Sequence, residues 1–474
     1  MAGHPLGAIE VRKSLRFSIM EGSAYSAMLG LTQDYITPFA LALGATIRQI
    51  GFLASVPSLA TSVSQLVAPY ATDRAGSRKG FILPVVFAHA LVWMLVFSLP
   101  HLHLAREVWW LIGVVTVSTV LGSVVNPAWG SMMADLVPEG LRGRYFGLRG
   151  WVCGLVAFAF FIIGGVVLHF SASHILVGFS VIFGGAGLFR LVSWYFLSRM
   201  HEPPLQRRSM GQSLFSIARS MGSSNLGRFT IYVSLMYLSV YMAAPFFAAY
   251  MLRDLGFDYI TYAGITAAGT LSNLLFLTFW GRRSDRAGNI RVIRFTSVLI
   301  PLVPMLWAVG HHLYYLVVVQ VLSGFAWSGF ILGTTNFIYD AAAPENRTRC
   351  IALFGAMNAA AMCLGPLAGG FLAPHLPPVG GYSLLTLFLI SGVLRGVVAA
   401  TLLRGVTEVR DVPRVGLAEL LLGERNVAGP RPGRSMPRLF GVGTRVGDDG
   451  GLLAAKLGAD WEQDQGAASR SPPP

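Results

Sequence analysis

Two stretches of this chain, APYATDRAGSRKG and FWGRRSDRAGNIR, repeat each other roughly 212 residues apart, so that Asp73-Arg74-Ala75-Gly76 returns as Asp285-Arg286-Ala287-Gly288. The echo extends to both sides. Arg16-Phe17 returns as Arg228-Phe229, Gly44 as Gly256, Pro138-Glu139 as Pro344-Glu345, and the Gly187–Arg190 spacing as Gly392–Arg395. Two related halves, each far longer than a solenoid repeat, predict a duplicated domain. The segments between the landmarks are long and apolar, so the duplicated unit reads as a bundle of membrane helices.

Composition points the same way. Charged residues make up 12% of the chain and hydrophobic ones 54%, against about 25% charged in a soluble domain. Such a chain cannot coat itself for water. The pattern predicts spans near 17–39, 48–70, 81–99, 109–133, 145–169 and 174–197. The second half predicts 229–251, 260–281, 292–310, 313–337, 351–374 and 382–403. Each is close to the length a helix needs to cross the hydrocarbon.

The net charge of +14 raises the question of nucleic acid, and the placement of the charges answers it. Twenty-one basic residues fall at the amino terminus and in alternate loops on one side. The opposite loops hold Arg48, Arg106 and Arg253. By the positive-inside rule this places both termini in the cytoplasm. The charge is topological, and no nucleic-acid partner is expected. The first apolar stretch contains Glu21 and Asp34 and lacks a small-residue cleavage site, so it reads as a span and not a signal peptide. Cys153, Cys350 and Cys363 lie in or beside spans and predict no disulfide framework.

The expected organisation is a first six-helix bundle over 1–198, a polar cytoplasmic loop over 199–228, a second bundle over 229–408, and a mostly disordered tail over 409–474. The tail is rich in Gly, Pro and Arg and ends SRSPPP.

The loop between spans two and three resembles the signature of the major facilitator superfamily, Gly-x-x-x-Asp-Arg-x-Gly-Arg-Arg/Lys. Asp73, Arg74, Gly76, Arg78 and Lys79 match it, with Pro69 in place of the first glycine. The second copy keeps Gly281, Asp285, Arg286 and Gly288 and has Asn289 where an arginine is common. The likeness covers roughly 12–408. It implies an all-α polytopic membrane protein of twelve transmembrane helices in two pseudo-symmetric six-helix bundles, located in the bacterial plasma membrane. By resemblance, these loop residues form a cytoplasmic gate that latches when the inner mouth shuts. The alternative is a helix-linking turn carrying orientation charges. The paired Asp135/Asp340 loops, with Arg142, Arg144, Arg347 and Arg349, are read as inner-loop contacts or as orientation signals with helix caps.

Substrate chemistry, if present, belongs to polar groups inside the spans, where an ionisable side chain is expensive unless it faces a cavity or a partner. Span one is the richest, with Glu21, Tyr25, Gln33 and Asp34. The resemblance makes spans one, four, seven and ten cavity-lining, so Asp34 or Glu21 is a candidate proton site. The plainer readings are that Glu21 pairs with Arg12 or Arg16 and that Asp34 faces outer water. Asn126, Trp129, Tyr237, Tyr241, Asn273 and Trp327 are further cavity candidates, since flat amphipathic rings suit an organic ligand. Bundle packing is the competing role for each. Arg190 and Arg395, on spans six and twelve, and His89 are assigned structural or snorkelling roles. Histidines 101, 103, 169, 174, 311, 312 and 375 lack compact ligand spacing, so no metal and no cofactor are expected.

Span five lacks the Gly-Pro element of antiporters, and the pattern occurs instead in span eleven at Gly365-Pro366 with Gly369-Gly370. Phosphate-loop, zinc-protease and nucleophile-elbow patterns are absent. The expectation is a secondary transporter that moves a small organic solute by alternating access, with protons as the candidate coupling ion and a single chain in the bilayer as the working unit. The rivals are a non-transporting receptor or assembly factor on the same fold, and a polytopic lipid-modifying enzyme.

Overall fold

The structure, a computed structural model, describes residues 8–102, 105–137, 142–203, 224–342, 347–410 and 412. The connecting loop beyond Pro203, the tail beyond Val412 and the Pro138-Glu139 and Pro344-Glu345 turns lie outside the described residues. The first half runs α1 (Ala8–Thr32), α2 (Ile36–Ala42), α3 (Ile47–Ala75), α4 (Arg78–Ser98), α5 (Glu107–Leu136), α6 (Arg142–Phe170) and α7 (Ile175–Ser198). The second half runs α8 (Asn225–Tyr241), α9 (Phe246–Ala249), α10 (Tyr259–Ala287), α11 (Asn289–Leu306), α12 (Leu313–Ala341), α13 (Arg347–Leu372) and α14 (Ser383–Leu402). A π-turn over Tyr250–Asp254 extends α9.

The first and seventh spans are each broken, so α1–α2 and α8–α9 are one crossing apiece and the helices make twelve. Ten stretches among the described residues are long and apolar enough to cross a membrane by composition alone. The two that fall short are α1–α2 and α3. Several helices overrun the predicted spans. At 29 residues, α10 is about 43 Å long, against about 30 Å of hydrocarbon, so its polar end bearing Asp285 and Arg286 stands clear of the apolar layer.

The repeat seen in the sequence is a repeat of packing. In the first half α1 packs on α6 and α7, α3 on α5, and α4 on α7. In the second half α8 packs on α13 and α14, α10 on α12, and α11 on α14. The repeated glycines are where the chain must turn. Gly44, Gly256, Gly76 and Gly288 all have φ between +67° and +88°, a region that side-chain-bearing residues avoid. Across the halves, α3 packs on α13 and α6 on α10.

These cross-half contacts gather at the end remote from the Asp-Arg-Ala-Gly loops. A Cβ at Gly51 would lie 2.7 Å from the Pro366 carbonyl, and one at Gly370 would lie 3.1 Å from Gly51 Cα. Phe52 meets Phe371 edge-on at 5.7 Å. His169 and Asp258 approach to 3.4 Å, and a Cβ at Gly165 would meet Ala263 Cβ at 2.6 Å. The Gly-Pro-Gly-Gly element of the eleventh span is therefore a close helix crossing, where missing side chains let two backbones touch. At the opposite end the charged loops face their own halves. Arg78 is buried and pairs with Asp135 at 2.6 Å, and Asp285 lies 3.6 Å from Arg410.

Overpacking a close crossing costs about 1–3 kcal/mol. Gly51→Val should therefore loosen the far-end closure. Spin labels at positions 52 and 371 should show a short, narrow distance in the wild type and a longer, broader one in the variant. An unchanged distribution would show that the crossing does not depend on a bare backbone.

Candidate functional site

The site begins with two prolines. A helical proline supplies no N–H to the carbonyl four residues earlier. Pro38 leaves the Asp34 carbonyl open in the break between α1 and α2, and the Tyr262 hydroxyl of α10, in the other half, donates to it at 2.8 Å. Pro304 in α11 leaves the Ile300 carbonyl open, and Arg395 Nη1 of α14 donates to it at 3.3 Å. An unpaired carbonyl inside hydrocarbon would cost several kcal/mol, so both side chains are drawn in from distant sequence.

Between these two points lies a cavity of about 790 Å³, lined by residues of both halves. The first half contributes Gln33, Asp34 and Thr37, and everything else comes from the second. The Asp34 side chain is exposed toward the cavity and makes no ion pair among the described residues. One wall is aromatic: Tyr237 and Trp327 lie parallel within 2° at 6.3 Å between centroids, and Tyr241 sits beside Tyr237 at 6.1 Å. The polar part of the lining includes Gln320, Ser323 and Asn358. Asn358 Oδ1 is fixed by the Ser234 hydroxyl at 2.9 Å. The volume falls in the usual range for a small-molecule pocket, and a flat apolar wall with a few fixed polar groups is the usual chemistry of one.

A second cluster of ionisable groups sits inside the first half. Buried Glu21 accepts from Arg149 Nη2 at 3.0 Å and from the Ser193 hydroxyl at 3.2 Å. Arg190 Nη1 donates to Ser193 at 3.1 Å, and its Nε donates to His89 Nδ1 at 3.2 Å. His89 Nε2 lies 2.9 Å from the Ser118 hydroxyl and 3.1 Å from Trp93 Nε1. The Arg190 guanidinium also lies 4.6 Å from the Tyr25 ring centre, and Arg149 lies 4.3 Å from that of Trp129. Gly22 makes the arrangement possible, since a Cβ there would lie 2.4 Å from Arg149 Nη2. The cluster ties α1, α4, α5, α6 and α7 together.

Several sequence readings change in this light. Glu21 pairs with Arg149, not with Arg12 or Arg16, because Arg149 lies a full two turns inside α6 and not in the loop before it. Gln33, Asp34, Tyr237, Tyr241 and Trp327 come together at the cavity. Glu21, Tyr25 and Trp129 belong to the ionic cluster. Asn126 is exposed on α5, and Asn273 is half-buried with its backbone N–H at the Gly324 crossing of α10 and α12. Of the loop residues, Arg78 and Lys79 bond within their own half, Lys79 to the Met200 carbonyl at 2.7 Å. Arg74, Asp285 and Arg286 are exposed, Gly76 and Gly288 turn the chain, and the Asp73 side chain lies outside what is described. Tyr262, Gln320 and Arg395 also line the cavity, beyond the residues that the sequence pattern suggests. Pro38 and Pro304 are the sequence signals that could have found Tyr262 and Arg395. Among the described residues, no group of His, Cys, Asp and Glu could hold a metal ion.

The model of the Major Facilitator Superfamily matches residues 18–228 and again 229–441. The chain belongs to the major facilitator superfamily. Quinolone resistance protein NorA of Staphylococcus aureus (strain MRSA252) is 26% identical over 141 residues, which cover 30% of this chain and 36% of that protein. Multidrug resistance protein 2 of Bacillus subtilis (strain 168) is 25% identical over 113 residues, 24% of this chain and 28% of the relative. These matches thus span about a third of the relatives' length. Among solved structures, a mutant form of the nucleoside transporter NupG superposes with a TM-score of 0.67 at 14% identity, covering 83% of this chain and all of the other. A D-xylose-proton symporter superposes at 0.65 and 13% identity, covering 85% and 98%. At such identities the likeness establishes the fold. This superfamily member is accordingly a multi-pass integral membrane protein of twelve helices in two six-helix bundles.

Removing one partner of a buried ion pair costs about 3–5 kcal/mol, because the other charge is left behind. Glu21→Gln and Arg149→Gln should each lower thermal stability in detergent. The double substitution should cost less than the two added together, by about 0.5–3 kcal/mol. Strict additivity in that double-mutant cycle would show that the two groups act independently.

Proposed function

We propose that the protein is a secondary active transporter that moves a small organic solute by alternating access, with Asp34 as its proton-carrying carboxylate and no enzymatic step. The observation that carries the proposal is the double attachment of Asp34. Its side chain opens into the central cavity, and its backbone carbonyl holds the far-end closure through Tyr262. A proton arriving on that carboxylate changes the charge at the point where the halves meet, so occupancy of the cavity and closure of one end bias the same equilibrium. Glu21 is less suited to the task, since Arg149 and Ser193 already hold its charged form. The positive-inside rule puts the Asp73 and Asp285 loops in the cytoplasm. On that orientation the closed far end is the outer one, and the loop residues serve as the latch of the alternative, outward-open state. The solute, protons and the surrounding lipid are then the partners of a single working chain, with residues 1–198 and 229–408 as its rocking halves.

The test is uptake of a broad metabolite panel into proteoliposomes with an imposed proton gradient. Asp34→Asn should reduce gradient-driven accumulation at least about tenfold while solute exchange continues, and Glu21→Gln should keep the coupling if it folds. Wild-type levels of accumulation in Asp34→Asn would remove Asp34 from coupling. Absence of any flux in folded protein would favour a receptor on the same fold.

A further inference from the structure

The two halves of the molecule treat the same arginine differently. Arg190 and Arg395 occupy matching places on α7 and α14, and both are about 2% exposed. Each reaches across to the third span of its own half, Arg190 to His89 and Arg395 to the Ile300 carbonyl. In the first half the charge has a carboxylate nearby, since Arg190 bonds Ser193 and Ser193 bonds Glu21. In the second half that carboxylate is missing. The residue separated from Glu21 by the same interval as Arg228 from Arg16 is Val233, and the counterpart of Ser193, at the Arg190-to-Arg395 interval, is Val398. Val233 is fully buried, so no acid takes up the role from that position.

An arginine in a protein keeps its charge and has five N–H donors. Those of Arg395 meet the Ser391 hydroxyl at 3.1 Å, the Ile300 carbonyl at 3.3 Å and the Val240 carbonyl at 3.5 Å. These contacts orient the guanidinium and supply only partial charge. Arg395 makes no ion pair among the described residues, although a buried charge is costly without a counter-charge. Arg395 lines the central cavity together with Asp34, Tyr237, Tyr241 and Trp327, which its counterpart Arg190 does not.

From these observations we infer that Arg395 is an anion anchor, and that the solute bound in the cavity is an organic carboxylate with a flat apolar body. The carboxylate supplies the counter-charge that Glu21 supplies in the first half, and the parallel Tyr237 and Trp327 rings take the apolar part. A carboxylate suits the site because a guanidinium with donors to spare pairs with it through charge-assisted hydrogen bonds. The inference rests on the transport reading for the word "solute" and on the cavity alone for the binding.

Binding is measured on the full chain in nanodiscs, by quenching of tryptophan fluorescence and by thermal shift. The probes are a set of aromatic carboxylates (phenylacetate, 3-phenylpropionate, 2-naphthoate) and their neutral carboxamides. The wild type should bind carboxylates at least about tenfold more tightly than the matched amides. Arg395→Gln should erase that preference. Val233→Glu, which returns to the second half the acid present in the first, should erase it as well while retaining the guanidinium, and it keeps the inference testable if Arg395→Gln does not fold. Equal binding of acids and amides, no binding of any carboxylate, or a preference that survives in Arg395→Gln would overturn the anchor. Transport of a neutral solute unaffected by Arg395→Gln would overturn the anchor and leave the transport reading standing. Carboxylate-selective binding without flux in liposomes would do the reverse.

Discussion

Inside hydrocarbon a backbone carbonyl without a donor is costly, and much of this molecule follows from where prolines create such carbonyls. Pro38 opens one at Asp34, and the hydroxyl that fills it comes from the other half of the chain. The break in the first span is thus more than a local kink. It sets a carboxylate at the cavity wall and makes the same residue a contact of the far-end closure. Pro304 does the equivalent within the second half, where Arg395, a residue of the cavity lining, bonds the freed carbonyl. Had either proline been an ordinary helix former, the carbonyl would have stayed in its own ladder, with no demand for a long-range donor.

The duplication is close enough to repeat every main helix pairing, yet the halves have diverged in polarity. The first encloses one cluster of ionisable groups: Glu21, Arg149, Arg190 and His89 are joined directly and through Ser193, and the cluster braces five helices. The second has valines where that cluster needs Glu21 and Ser193, and it contributes nearly all of the cavity lining. The first half thus holds an internally paired ionic cluster, while the cavity is walled mostly by the second half, with Gln33, Asp34 and Thr37 from the first. Symmetry of fold with asymmetry of charge is a physical basis for a binding site displaced toward one bundle.

The architecture was readable in the sequence because its causes are local. Hydrocarbon thickness sets helix length, and turns that need φ above zero demand glycine, so Gly44, Gly76, Gly256 and Gly288 mark the same corners in both halves. Asp34, Tyr237, Tyr241 and Trp327 were also legible, as polar or amphipathic groups on spans that face the interior. Arg149 was not: a basic residue near a predicted span end looks like a loop residue until the helix is seen to start at Arg142. Nor was the use of Arg395, because apolar periodicity reports which face meets lipid and says nothing of which side chain a remote proline will recruit. The crossing of Gly51 with Pro366 and Gly370 was only half visible. The eleventh-span glycines stand out in the sequence, but their partner lies on the other bundle.

A closure built this way is suited to being opened. Its polar contacts among the described residues are few, and hydrogen bonds between membrane helices average only about 0.6 kcal/mol. The rest is close backbone contact at Gly51, Gly165 and Gly370 and edge contacts such as Phe52 with Phe371, all of which can be remade in another arrangement. By contrast, the ionic cluster of the first half would cost several kcal/mol to break, so that half should move as a unit. A ligand or proton shifts an equilibrium by no more than its differential affinity for the two states, and a preference of a few kcal/mol is within reach of one carboxylate and one bound solute. The ionic cluster thus lies within the first half while the far-end contacts between halves are weaker, a distribution that fits the proposed alternating access.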